Sequence, residues 1–161
     1  MTFKTSLDGL AKGITIGVII LFSVIIGGQL IPSYELDPIG STVLIGLLFG
    51  ICLFCILFRP LTYVLTSDKL IIHRLLSDVA IDRKDIVTTR EISNGDMGLT
   101  IRTFGVGGLF GYFGKFSNTK IGRLTMYATR RNNSVLIETT SKKIILSPDD
   151  PIELVRQLGT K

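Results

Sequence analysis

The sequence predicts a two-helix membrane hairpin followed by a small, mainly-β domain that closes with one helix. Three observations carry this reading. Residues 13–31 and 39–58 contain no charged side chain. The segment 32–38, Pro-Ser-Tyr-Glu-Leu-Asp-Pro, is all that separates them. After Arg59-Pro60 the composition turns abruptly to charged, β-branched and turn-forming residues.

Each apolar stretch has the length of a spanning helix, roughly 20 residues at ~1.5 Å rise. Two spans joined by so short a turn run antiparallel. Residues 1–60 are therefore read as a hairpin, with 61–161 as one domain on a single side. Lys4 and Lys12 precede the first span and Arg59 follows the second, whereas the connection carries Glu35 and Asp37 but no Lys or Arg. The positive-inside rule then places both termini in the cytoplasm. A cleaved signal peptide is the competing reading of the first span. Its apolar run is long for one, and Gly27-Gly28-Gln29 is a poor substitute for an A-x-A site.

Within the spans, Gly13 and Gly17 form one G-x-x-x-G, and Gly46 and Gly50 form another. Such spacing lets helix backbones approach closely where lipid supplies no hydrophobic drive. Two readings stay open: these glycines join copies of the chain into a homo-oligomer, or they pack the two helices of one hairpin. Cys52 and Cys55 share a helical face in the middle of an apolar span. That setting gives them neither a redox nor a metal role, and there is no further Cys for a disulfide framework.

The chain has 161 residues and a formal net charge of +5. Its mean hydropathy of +0.47 is concentrated in the hairpin. From Arg59 onward, 16 Lys and Arg face 10 Asp and Glu. A basic domain held at a bilayer meets the anionic leaflet first, at about 1 kcal/mol per well-placed cation. Nucleic acid is not an expected partner, because the tether and the lack of a long Lys/Arg run argue against it.

The tail changes period to that of strands. Residues 62–66, 69–74, 79–81, 86–92, 99–104, 124–130, 134–140 and 143–146 are β-prone, punctuated by turns at Ser67-Asp68, Asp82–Asp85, Ser93–Asp96, Asn132-Asn133 and Ser141-Lys142. Some of these runs are short, which leaves six or seven strands. Ser147-Pro-Asp-Asp150 has the form of a helix start, with Ser147 as N-cap and Pro148 at the first position. Ile152, Leu154, Val155 and Leu158 then lie mainly on one face. Antiparallel strands followed by a single C-terminal helix are the layout of a pleckstrin-homology-like (PH-like) domain, in which the helix plugs a bent two-sheet barrel, although the pattern alone also allows other small β domains.

The most unusual segment is 102–118, Arg-Thr-Phe-Gly-Val-Gly-Gly-Leu-Phe-Gly-Tyr-Phe-Gly-Lys-Phe-Ser-Asn. Gly105, Gly107, Gly108, Gly111 and Gly114 alternate with Phe104, Leu109, Phe110, Tyr112, Phe113 and Phe116, and Lys115, Lys120 and Arg123 follow closely. Together with Gly122, Tyr127-Ala-Thr129 and Ile145-Leu-Ser-Pro-Asp-Asp-Pro151, this run resembles the bacterial PH-like domains of small bacterial membrane proteins. The resemblance covers about Leu61 to Leu158. It implies a PH-like fold in a membrane setting, and it carries over no catalytic residue and no established ligand.

Three readings of the segment compete. A nucleotide site is disfavoured, because Phe110 stands where a third glycine would follow Gly105-x-Gly107 and no Walker Lys-Ser/Thr pair is present. A contact surface would place the aromatics in the headgroup zone or a partner groove, with Lys115, Lys120 and Arg123 as a basic rim. An ordered inter-strand loop would pack its aromatics on the domain itself, with glycines permitting the turns.

No catalytic constellation can be argued. His73 is the sole histidine and lies on a predicted strand, and both cysteines are in the span. Asp78, Asp82, Asp85 and Asp96 are spread through turns. No metal or cofactor is implied, and the protein is not expected to be an enzyme. The expectation is a multi-pass protein of the bacterial inner membrane. Its PH-like domain binds a protein or peptide partner at the cytoplasmic face, with anionic-lipid sensing or assembly as an oligomeric subunit as the alternatives.

Overall fold

The computed structural model describes residues 1–28, 38–93 and 96–159. The predicted turn over 32–37 with Glu35 and Asp37, the end of the first apolar run at 29–31, and the centre of the 93–96 loop lie outside the described residues. Two long helices form as expected, α1 (Gly9–Gly28) and α2 (Pro38–Phe58). Both are long and apolar enough to cross a membrane, and only 11% and 6% of their apolar windows are buried. The core helix of a soluble domain would be mostly buried, whereas these two leave most of their apolar surface uncovered, which suggests membrane association.

Among the described residues, ten strands, a short 3-10 turn (Arg83–Asp85) and a third α-helix accompany them. The first, β1 (Thr2–Lys4), precedes α1 and pairs antiparallel with β2 (Pro60–Leu65). It continues into β3 (Lys69–Arg74) and β4 (Val79–Asp82), giving the sheet order β1-β2-β3-β4. The sequence reading gave residues 1–7 no structural role. Phe3 nevertheless is 6% exposed and joins Tyr63, Leu70 and Ile72 in the core. This pairing fixes residues 1–4 and 60–65 at the same end of the two long helices.

The second sheet contains β5 (Ile86–Ile92), β6 (Thr100–Gly107), β7 (Tyr112–Asn118), β8 (Gly122–Ala128), β9 (Ser134–Thr139) and β10 (Lys143–Leu146), in the order β5-β9-β10-β8-β7-β6. The Asn132-Asn133 turn does not make a simple hairpin of β8 and β9. Instead β10 lies between them, parallel to β8. The two sheets share no hydrogen-bonded strand pair, so the two-sheet domain is open rather than a closed barrel.

Helix α3 (Pro151–Gly159) closes the domain by burying Leu154 and Leu158 against the core between the sheets. It starts later than the sequence indicates. Asp150 is its cap, its carboxylate accepting the Glu153 N–H at 3.0 Å, and Pro151 takes the first helical position. Ser147 is fully buried and its hydroxyl instead accepts the Thr129 N–H at 2.8 Å. Ile152, assigned to the apolar face, is 68% exposed.

Candidate functional site

The glycine-aromatic segment is a β-hairpin, which corrects its reading as an inter-strand loop. Strands β6 and β7 pair from Thr100↔Asn118 to Gly107↔Tyr112, and residues 108–111 form the turn. Glycine counts against a strand in propensity, yet here it lets two backbones approach. Gly105 and Gly114 face each other at φ 114° and 120°. A Cβ on either would lie 2.3 Å from the opposite carbonyl oxygen. The turn is closed by Gly108 N–H donating to Gly111 at 2.8 Å, with Phe110 in the left-handed region at φ 56°.

This hairpin docks on the two long apolar helices. Among the described residues of α1 and α2, the buried ones are Ala11, Thr15 and Cys55, and all three lie against the tail. The Phe110 N–H donates to Thr15 Oγ1 at 3.0 Å. A Cβ at Gly108 would stand 2.5 Å from Ile14, so the glycine turn sits directly on α1. Because β7 alternates faces, Phe113 joins Val106 and Cys55 on the α2 side, while Tyr112 and Phe116 join Ala11 on the other. Thr15 is six residues into α1, so the hairpin tip reaches about 9 Å along that helix.

The anchorage continues at Asp8, which the sequence reading did not single out. Its carboxylate caps α1 by accepting the Ala11 N–H at 2.7 Å, and also accepts the Arg131 N–H at 3.0 Å and the Tyr112 hydroxyl at 3.4 Å. Burial, and then the Asp8 charge, push the Tyr112 phenol up to about 12. The only sequence signal was an acidic residue one position before the helix.

The predicted binding residues therefore separate. Tyr112, Phe113 and Phe116 are buried, and Leu109 and Phe110 are half-buried against the helices. Phe104 alone among these aromatics is widely exposed, at 72%. It lines a cleft of about 250 Å³ with Phe54 and Phe58 of α2, where Arg74 lies 5.5 Å from the Phe58 ring centre. Gly13, Gly17, Gly46 and Gly50 do not pack α1 on α2, since a Cβ on any of them would meet nothing within 4 Å. The helices bury their contacting residues on the hairpin instead.

The predicted basic rim also divides. Lys115 and Arg123 line one open groove of about 650 Å³, and Lys142 and Lys143 complete it. Lys120 is not in this lining; it lies beside the Gly98 turn, where its charge acts on Asp96. Sequence reasoning passed over Lys142 and Lys143 as turn and strand residues, although two adjacent lysines were a usable signal. Lys143 is partly neutralised by Glu138 at 3.2 Å, and its hydrogen bond holds the Glu138 carboxyl below the usual range. No carboxylate stands in the groove lining itself. Lys115 and Thr125 also line the aromatic cleft, so the open face runs from the end of α2 to the cations.

A family model described as a bacterial PH domain matches residues 61–161. No curated protein and no solved structure matches the chain.

Proposed function

Because this chain belongs to the bacterial PH domain family, we propose that it is a non-catalytic binding module of the inner membrane that holds an acidic protein or peptide partner at the cytoplasmic face. The groove of Lys115, Arg123, Lys142 and Lys143 carries this reading. Lys115, Arg123 and Lys142, with Lys143 partly neutralised by Glu138, form a surface complementary to an acidic chain. The flanking Lys4, Lys12 and Arg59 support the cytoplasmic side.

Arg123 pairs with Ser117, six residues along β7 from the turn, so the far cations of the groove lie up to about 20 Å along the strand from the hairpin tip that contacts α1.

The test uses the full chain in nanodiscs of neutral lipid, with a fluorescent poly-glutamate peptide as probe. Salt-sensitive binding that drops at least about tenfold in the Lys115→Glu, Arg123→Glu double variant supports the reading. Equal binding by the variant, or binding that appears only when anionic lipid is added to the disc, counts against it.

A further inference from the structure

We propose that the open cleft lined by α1, α2 and the β6–β7 hairpin takes one anionic phospholipid from the bilayer, with its phosphate on Arg102. The cleft is about 570 Å³, within the range of ~300–1,000 Å³ that holds a ligand. Ile14, Leu47, Ile51, Phe54, Val106 and Leu109 make its walls. Most of these are residues of the two long apolar helices. Leu47, Ile51 and Phe54 are 58%, 45% and 48% exposed, so they need an apolar cover. Continuity with the spans makes a lipid chain the occupant that can enter sideways without leaving hydrocarbon.

Arg102 is the one charged residue of the lining. Regular alternation would set it on the face opposite Gly105 and Gly107. The register shift between Arg102 and Phe104 re-aims it. Its side chain then runs back towards the hairpin tip, with Cδ and Nη1 3.6 and 3.7 Å from where a Cβ of Gly107 would stand. Among the described residues it makes no ion pair. Arg102 is exposed in the chain itself; where lipid covers the neighbouring apolar helices its guanidinium needs an acceptor, and a phosphate meets it bidentately. A choline or ethanolamine headgroup would bring in a cation for which the lining holds no carboxylate, so net anionic headgroups are preferred. This site is separate from the groove of Lys115 and Arg123, so loss of one leaves the other intact.

The full chain is reconstituted with phosphatidylglycerol and phosphatidylcholine in equal amounts, extracted, and weighed by native mass spectrometry. The wild type should retain one phosphatidylglycerol per chain. The Arg102→Gln variant should lose the preference by about tenfold or more, the value of a charge-assisted hydrogen bond. Leu47→Trp narrows the cleft from an exposed position and should lower retention of either lipid. Retention without headgroup preference in the wild type, or an unchanged preference in Arg102→Gln, would overturn the proposal. So would a photocrosslinker at position 47 that captures a second polypeptide instead of lipid. Poly-glutamate binding by Arg102→Gln should match the wild type, which keeps the two sites distinguishable.

Discussion

The backbone N–H of Phe110 donates to the hydroxyl of Thr15 at 3.0 Å, across 95 residues of chain. It joins the tip of a β-hairpin to the second turn of an apolar helix, and it does so at a residue whose φ of 56° suits glycine better than phenylalanine. Such a conformation persists where its surroundings over-determine it. Here the hydroxyl above and the Cys55, Val106 and Phe113 cluster beside it do so.

Thr15→Val keeps the shape and removes the acceptor. The Phe110 N–H then loses its partner next to apolar helices, at a cost of about 1–3 kcal/mol. Thermal unfolding of the detergent-solubilised full chain should show a lower midpoint, and protease cleavage should rise at residues 108–111. An unchanged midpoint would mean that the bond contributes nothing to docking.

Gly114→Ala should be among the most damaging single changes in the domain. The added methyl would lie 2.3 Å from the Phe104 carbonyl oxygen, at a residue with φ 120°. A loss of about 3 kcal/mol or more is expected, from strain and a broken strand pair together. Gly13→Ala and Gly46→Ala meet open space. They should be neutral or gain up to about 1 kcal/mol of helix propensity. Denaturation of the three variants side by side checks the contrast.

Alkaline stability should be set by Tyr63 together with Tyr112, and Tyr63 is the more deeply enclosed of the two. It is fully buried, donates to the Tyr127 carbonyl at 2.7 Å and accepts the Ser147 N–H at 3.1 Å. Burial pushes its phenol up to about 12. Below about pH 10, the usual tyrosine value, both folded and unfolded chains keep the proton, so stability is flat. Between about 10 and about 12 the unfolded chain releases it while the folded chain does not, so stability falls as pH rises, by up to about 3 kcal/mol. Tyr63→Phe should lessen this fall, leaving the part due to Tyr112, although it removes both hydrogen bonds of the hydroxyl and lowers stability at neutral pH. Unfolding midpoints measured from pH 8 to 12 decide the matter.

Residues outside the family-matched segment should be needed for its stability. Phe3→Ala empties a core position beside Tyr63 and should cost about 3–5 kcal/mol. A fragment of residues 61–161 lacks β1, which bares the edge of β2, and lacks Leu7 and Ala11, which cover the second core. It should exchange amide protons in β2 faster than the full chain and aggregate more readily. A fragment as stable as the full domain would show β1 to be dispensable.

Much of this was legible in the sequence, for identifiable reasons. The long helices are written in uninterrupted apolar runs, and strands such as 69–74, 86–92 and 143–146 are rich in β-branched residues between clear turns. Strand β7 was hidden because the two glycines of Gly-Tyr-Phe-Gly-Lys-Phe suit a loop at least as well as a strand. Only the facing Gly105 and Gly114 decide it, and facing is a tertiary property. Strand β1 was hidden by its length of three residues, with nothing local to mark its partner 60 residues away. The groove was half visible. Lys115 and Arg123 come together because they lie on adjacent strands, while Lys142 and Lys143 reach them through the parallel placement of β10 against β8, an order that turn chemistry does not announce.

The junctions between helix and sheet have no slack. A single residue, Arg59, lies between α2 and β2, and the Leu76 N–H donates to Leu57 at 3.1 Å in the last turn of that helix. On the other strand, Thr5 donates to Leu61 and Ser6 to Asp149 before α1 begins. The domain is thus bolted to both helices, not leashed to them. It cannot search the surrounding volume as a flexibly tethered module does. Its groove has one height and one heading relative to the helices, so an acidic partner of the kind proposed would have to present its acidic stretch at that level. Any tilt of the helix pair becomes a tilt of the groove.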